Sequence, residues 1–411
     1  MRRLVDVQRE VLGSVRQLGS MSVPVSRALG LVLAEDVVAP HDVPPFANSA
    51  MDGYAVRAKD TQPAPAELKV IEDVAAGHVA AWTVTSGTAV KIMTGAPMPA
   101  GATAVVRVED TAEESGSVRI LDGVLDGENV RAAGGDLAAG SVVFAAGTRL
   151  TPHHLGVLAS IGVFEPRVHR RPVAAVLSTG DEVVPAEAPL LPGQIHDSNR
   201  PQLLALLDEL GVETIDLGIV GDDAAALRAA VARGAVEADV LLTSGGVSMG
   251  EYDLVKGIVS EAGDVNIWRV AIKPAKPFAF GNVGGTPFFG LPGNPVSVVV
   301  AFEQFARPAL LKMMGAKALF RPRIAAVLEA DVQTDPEKTV FLRVVAELKG
   351  DKWTARPADG QASNQLTALA NANAFAVVPV GTSGVAAGSR VDLEMFRWPE
   401  TRSEEEVTNA G

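Results

Sequence analysis

Between residues 172 and 315, short apolar runs alternate with stretches of helical periodicity, and this alternation constrains the chain more than any other feature. Val173–Ser178, Thr214–Val220, Val240–Ser244, Val265–Ile272 and Phe288–Leu291 read as strands; 201–210, 223–235, 253–262 and 294–313 read as helices. Strands separated by helices of roughly 10–15 residues imply a mostly parallel, doubly wound α/β sheet. Such sheets bind ligands beyond the carboxyl ends of their strands, so the residues that follow each strand are where chemistry is sought.

Those residues are unusual. Thr243-Ser244-Gly245-Gly246-Val247-Ser248-Met249-Gly250-Glu251-Tyr252-Asp253 follows one strand, and Gly290-Leu291-Pro292-Gly293-Asn294-Pro295 closes another. The paired glycines allow close backbone approach and leave amide N–H groups for an anion. Alone, Ser-Gly-Gly also reads as a plain bend. Asp253 stands at the start of a helical segment, the geometry of an anion or metal–phosphate site. Ser178-Thr179-Gly180-Asp181-Glu182 ends the first strand, and Asp222-Asp223 follows the next, with Asp223 suited to capping a helix. Lys273 and Lys276 flank Pro274-Ala275, with Arg269 just before them. Two lysines on a proline-stiffened turn can hold a tetrahedral dianion as compact point charges. Asp181, Glu182, Asp222 and Asp253 add hard oxygen donors, the combination a Mg²⁺–phosphate reaction needs. Each acid taken singly is equally a solvated loop charge.

The chain has 411 residues, which implies about two to four domains. Its net charge of −13 argues against nucleic acid and against an anionic membrane surface. A local lysine cluster can still attract a small anion at short range. The absence of cysteine excludes disulfides, thiolate metal sites and cysteine nucleophiles. The N-terminus lacks an apolar signal region and no run approaches the roughly eighteen apolar residues of a membrane span, so a soluble cytoplasmic protein is expected.

Outside the central region, Val7, Val11, Val15 and Leu18 form a helical stripe, with a second short helix expected over Ser26–Leu33. Short strand-like runs follow at Leu68–Ile71, Ala89–Ile92, Ala104–Val108, Ser117–Leu121 and Ser141–Phe144, and helical character returns at His153–Ser160. The N-terminal helices are therefore expected to pack with 153–160, leaving a protruding β insert. The implied layout is a discontinuous helical linker domain (1–39 and 139–170), an inserted β domain (40–138), the α/β domain (171–320), a small C-terminal β-barrel (321–398) and a disordered acidic tail (399–411). The insert holds two further motifs. In Pro44-Pro45-Phe46-Ala47-Asn48-Ser49-Ala50-Met51-Asp52-Gly53-Tyr54-Ala55, Asp52-Gly53 reads as a turn, either an ordinary hairpin turn or one exposing a carboxylate. Lys91-Ile92-Met93-Thr94-Gly95-Ala96-Pro97 is a strand ending in a Thr-Gly turn.

Taken jointly, Pro44–Ala55, Met93–Pro97, Ser178–Glu182, Ser244–Ser248 and Leu291–Pro295 resemble the motifs of molybdopterin molybdenumtransferases, bacterial enzymes homologous to the E domain of gephyrin. The resemblance covers roughly residues 5–397. It implies a multidomain elongated fold with a molybdopterin-binding-type α/β domain, and a homodimer. It also implies an activity that inserts molybdate into adenylylated molybdopterin with Mg²⁺ and release of AMP. Carried over by position, it implies that Asp52, Thr94, Arg131 and Asp136 face the site from the β insert, Asp52 and Asp136 serving a partner chain. Glu182, Asp222, Ser248, Asp253, Lys273, Lys276, Pro292 and Pro295 would line the site, with Glu182, Asp222 and Asp253 as metal ligands and Arg269 among the substrate-binding residues. Arg343 and Ser363 would lie near the anion. The chain departs from the family pattern at Arg269, often Lys, at Ala275, often Gly, at Gly134-Gly135-Asp136, and at Asn364, where Gly is common. A competing expectation is a gephyrin-like scaffold that binds a short peptide of a receptor or a cytoskeletal or cell-division filament protein.

Overall fold

The computed structural model describes residues 1–246 and 254–400. Two compact units form, one from Met1–Met21, Gly30–Val32 and the chain from Val168 onward, the other from Ser22–Leu29 and Leu33–Arg167. Ser248, Asp253 and residues 401–411, to which sequence reading assigned roles or disorder, lie outside the described residues.

The first unit is built on a six-stranded sheet in the order Glu213–Val220, Val173–Thr179, Val240–Ser244, Thr286–Leu291, Pro277–Val283, Gly263–Arg269. The first four strands run parallel and the last two antiparallel. Successive side chains on a strand point to opposite faces. Ala174, Val176 and Leu242 therefore enter one core with Leu203 and Leu207 of helix Asn199–Leu210. Ala175, Leu177 and Leu241 enter the other with Leu227 and Val231 of helix Ala224–Glu237 and Val255 of helix Leu254–Ala262. Both faces are covered, which is why these strands read as unbroken apolar runs. Asp223 caps its helix as its position suggests, accepting from the Ala226 amide at 2.7 Å.

A closed five-stranded barrel follows. Thr339–Lys349, Lys352–Pro357, Arg323–Leu328, Arg390–Met395 and Ala374–Val378 pair in that order, and the last returns to the first. The expected strand Val265–Ile272 is in fact two pieces. Gly263–Arg269 edges the α/β sheet, whereas Ile272–Lys273 pairs in parallel with Thr339 and Val340 of the barrel. The expected helix 294–313 runs as Pro295–Ala301, a π-helical turn Phe302–Ala306, and Arg307–Met313. The π turn carries Glu303, buried and ion-paired with Arg321 at 2.8 Å.

The N-terminal helix corrects one expectation. Leu4–Ser14 falls in the first unit and residues 153–160 in the second; Val7 and Val11 of the helix, and Val15 just after it, enter the large core that also holds Leu310 and Met313. A valine stripe gains most by facing the larger apolar surface. The short 3₁₀ turn Val25–Arg27, which replaces the expected helix Ser26–Leu33, lies against helix Pro152–Ser160. Gly30, at φ 76°, turns the chain away.

The second unit holds a six-stranded sheet in the order Ala104–Arg107, Gly53–Val56, Thr88–Ile92, Ala66–Val74, Ser117–Ile120, Thr111–Glu114. Four of these strands fall where alternation put them. Gly53–Val56 does not: its Asp-Gly start reads as a turn, yet it is an inner strand with Tyr54 and Ala55 fully buried. Gly53 is required there by contact, since a Cβ would stand 1.9 Å from the Val106 carbonyl oxygen. Among the described residues, no helix is long and apolar enough to cross a membrane. We expect Gly53→Ala to destabilise this unit by more than about 3 kcal/mol, because backbone rather than a flexible side chain must yield. Denaturant unfolding with a loss under about 1 kcal/mol would contradict the strand placement.

Candidate active site

At the carboxyl edge of the parallel strands lies a cavity of about 840 Å³. The turns after four strands form its wall, and each turn is fixed by contacts that the sequence shows only in part. After Val173–Thr179, Gly180 has φ 132° and lies under the Glu182 carboxylate; a Cβ there would meet Glu182 Oε2 at 2.4 Å. Asp181 turns aside, its Oδ1 accepting from the Asp222 amide at 2.8 Å. Asp181 thereby holds the neighbouring turn, and Glu182, Asp197 and Asp222 are the acids that line the cavity.

The Gly245-Gly246 turn corrects a second expectation. The Gly245 amide is already used, donating to the Leu291 carbonyl at 3.1 Å. Packing explains the glycines: both have positive φ, and a Cβ on Gly246 would meet Val255 Cγ2 at 2.3 Å. Pro292 and Pro295 line the cavity as the resemblance implied, and Pro277 joins them.

Asp197 is a residue that sequence reading missed. It is buried at the cavity wall, where its Oδ1 accepts from Ser178 Oγ and from the Asn199 and Arg200 amides, each at 3.1 Å. Its Oδ2 pairs with Arg200 Nε at 3.0 Å, and Arg200 also pairs with Asp216. The available signal was Asp197-Ser198-Asn199 directly before a helix, where Asp and Asn commonly accept backbone amides.

The cationic residues are placed differently from one another. Lys273 and Lys276 are exposed on the connection between Ile272–Lys273 and Pro277–Val283, and Arg269 is exposed at the end of the edge strand opposite Pro277. None of the three lines the cavity itself. Arg343 is fully buried on a barrel strand and is not among the residues that line the cavity. Its Nη2 donates to the Gly360 and Ala362 carbonyls at 2.9 and 3.3 Å, and burial lowers its pKa. Gln361 completes the support, accepting from the Arg343 amide and donating to its carbonyl. The guanidinium thus holds the loop that presents Ser363, and Asn364 is the residue of that loop that lines the cavity.

In the second unit, Asp52 and Thr94 come together. Asp52 Oδ1 accepts from the Thr94 hydroxyl at 2.6 Å and its amide at 2.7 Å, and these bonds hold the carboxyl below its ordinary range. Arg131 is exposed and pairs with Asn48 in a two-residue ladder; Asp136 is exposed, its amide donating to the Val43 carbonyl.

Among the described residues no group of three or more His, Asp or Glu forms a metal shell. Glu182 and Asp222 nonetheless give one cavity two hard carboxylates, which is the number Mg²⁺ uses when it keeps waters and takes the rest of its ligands from a phosphate.

A doubly wound sheet with acids, hydroxyls and glycines around an edge cavity, followed by a closed barrel, defines a class of multidomain proteins built to hold a small polar ligand at strand ends. The chain belongs to the molybdopterin molybdenumtransferase family. Residues 3–162 match the MoeA N-terminal region (domain I and II), 175–312 a probable molybdopterin binding domain, and 325–396 the MoeA C-terminal region (domain IV). It is 42% identical to molybdopterin molybdenumtransferase 2 of Mycobacterium tuberculosis, covering 96% of this chain and 99% of the relative. It is 38% identical to the Haemophilus influenzae molybdopterin molybdenumtransferase, covering 90% and 93%. A molybdopterin biosynthesis MoeA protein from Pyrococcus horikoshii has a solved structure with TM-score 0.83, 30% identity and coverage of 96% and 100%.

Between the two lysines, Ala275 is buried at φ 78°, a left-handed conformation that L-residues avoid. Replacing it by glycine relieves about 1–2 kcal/mol of backbone strain. The same change loses about 0.8 kcal/mol of methyl burial and roughly 0.5–1 kcal/mol of chain entropy. Ala275→Gly is therefore expected to be near neutral, whereas Ala279→Gly, in a buried strand with no strain to relieve, costs about 1.5 kcal/mol. Equal losses for the two variants in urea unfolding would overturn the strain at Ala275.

Proposed function

We propose that this protein inserts molybdenum into molybdopterin, taking adenylylated molybdopterin and molybdate as substrates, using Mg²⁺ and releasing AMP, as a cytoplasmic homodimer. The observation that carries the reading is the placement of Glu182 and Asp222 on one cavity with the Ser178 and Thr179 residues, at the sheet edge of a chain in this family. Glu182 and Asp222 would hold Mg²⁺; bound there, the ion would polarise phosphoryl oxygens of the adenylylated substrate. The chain's own residues do the rest. Val183, Val255 and Pro292 give the cavity apolar walls that exclude water, and the hydroxyl side orients polar groups of the ligand. The exposed ammonium groups of Lys273 and Lys276 are free to swing toward a dianion, an attraction that operates within a few ångströms even against a net charge of −13.

Support for the homodimer is the resemblance together with the distribution of the implied residues. Asp52, Thr94, Arg131 and Asp136 belong to one compact unit, and Glu182, Asp222 and the lysines to the other. A peptide scaffold has no comparable observation in its favour.

Purified Asp222→Ala and Lys276→Ala are each expected to lower cofactor formation and AMP release by on the order of a hundredfold, the scale of losing one electrostatic partner of a reacting centre. Their unfolding free energies should stay within about 0.5 kcal/mol of the parent, as for other exposed positions. Near-parental AMP release from either variant would overturn the site. For assembly, Asp52→Ala mixed with Glu182→Ala should recover activity that neither has alone, since one hybrid site then carries no lesion. A monomer by light scattering at micromolar concentration, or no recovery after subunit exchange, would count against the dimer.

A further inference from the structure

An asparagine at a helix N-cap ordinarily turns its side-chain oxygen onto an amide of the first turn. Asn294 occupies that position before helix Pro295–Ala301 and makes no such bond. Its Nδ2 instead donates to Ser363 Oγ at 2.9 Å, in the loop between barrel strand Lys352–Pro357 and helix Leu366–Asn371. The same Ser363 supplies the missing cap from its backbone, its carbonyl accepting the Val296 amide at 3.1 Å. On the other flank of the loop, Asn199 Nδ2 donates to the Gly293 carbonyl at 2.7 Å. The Pro292–Pro295 loop is thus fastened on both sides, to the cavity wall by Asn199 and to the barrel loop by Asn294. Beneath, Arg343 donates to the carbonyls of Gly360 and Ala362, so the barrel strand holds the residues before Ser363 while Ser363 itself takes two bonds, from Asn294 and from the Val296 amide. Its neighbour Asn364 lines the cavity.

We propose that Asn294 is a positioning residue: its amide fixes Ser363, and with it the barrel loop, in register with the sheet-edge cavity, and so sets affinity for the oxyanion substrate. The inference rests on the function proposed above and deepens it. A local capping preference is given up here for a contact between residues 69 apart in sequence, which a purely local helix stop does not require. The bond lies at an exposed position, so its loss leaves the fold standing. A misplacement of about 1 Å at a reacting site can nonetheless cost about a hundredfold in rate.

The test is a double-mutant cycle of Asn294→Ala and Ser363→Ala in the full chain, with molybdate and adenylylated molybdopterin varied separately. Ser363→Ala keeps the carbonyl that caps Val296. Asn294→Ala is expected to raise the half-saturating molybdate concentration about tenfold, which corresponds to about 1.4 kcal/mol, the scale of one hydrogen bond. The KM for adenylylated molybdopterin and the melting temperature should change little. The double variant should match Ser363→Ala alone. Additive effects of the two substitutions, or an unchanged molybdate dependence in Asn294→Ala, would overturn the proposal while leaving the transferase reading in place. A parent protein that makes no cofactor would overturn that reading instead, and molybdate titration calorimetry on the same four proteins then decides the role of Asn294 by the same criterion.

Discussion

The structure depends on a parallel sheet whose inner strands are buried on both faces. Ala174, Val176 and Leu242 go to one side and Ala175, Leu177 and Leu241 to the other, so the strand interiors have no room for polar groups. An uncompensated buried polar group costs at least about 1–3 kcal/mol, and polar chemistry is pushed to the strand ends. There the backbone must turn while four such turns crowd together. A Cβ on Gly246 would strike Val255, and Gly180 takes a positive φ that L-residues rarely adopt. The cavity therefore follows from how the sheet closes. Its acids and hydroxyls sit on turns held by other polar groups, as Asp181 holds Asp222 and Asp197 holds Ser178.

Electrostatics divides the site in two. The cavity lining carries carboxylates, and its cationic neighbours stand outside it on an exposed turn. A lining of carboxylates alone repels an anionic ligand at short range, so anion capture needs counter-charge brought to the cavity. In the proposed reaction a divalent cation on Glu182 and Asp222, together with the two lysines, would supply it. Ala275 bears on this arrangement because it shapes the turn between the lysines. A backbone held at positive φ by a non-glycine residue fixes the directions in which Lys273 and Lys276 leave the chain.

Much of this was legible in the sequence, for reasons that differ by element. The parallel strands announced themselves because burial on both faces leaves an uninterrupted apolar run, as in Val240–Ser244, whose bounds agree. Asp223 was readable as a cap because capping is local. The failures share the opposite cause. Gly53 looked like a turn residue because Asp-Gly usually is one; the requirement for glycine comes from Val106, more than fifty residues away. The N-terminal stripe is helical at Val7 and Val11 but not at Val15 and Leu18, which lie past the helix end at Ser14, and its partner core is assembled mostly from residues beyond 170. Arg343 was placed near the anion by the resemblance alone, and its surroundings are set by distant residues. Strand alternation puts Leu342 and Val344 in the barrel core and Arg343 on the opposite face with Phe341, where its guanidinium reaches the carbonyls of Gly360 and Ala362.

The buried arginine shows how the barrel takes part without lining the cavity through its strands. A guanidinium removed from water must be compensated, and Arg343 finds carbonyls at Gly360 and Ala362. Among the described residues its Nε and Nη1 have no hydrogen-bond partner. Two accepted bonds for five donors is a costly way to hold a loop, and an apolar residue of similar volume would pack there at lower cost. The charge fixes the carbonyls on either side of Gln361, and the second of them, at Ala362, is one residue before Ser363 and two before Asn364, which lines the cavity. A buried cation contributes little to net stability but specifies geometry strongly, because moving the loop would strand the charge. The loop carrying Ser363 and Asn364 thereby couples the barrel to the sheet-edge cavity, braced by a buried cation on one side and by the helix start at Asn294 on the other.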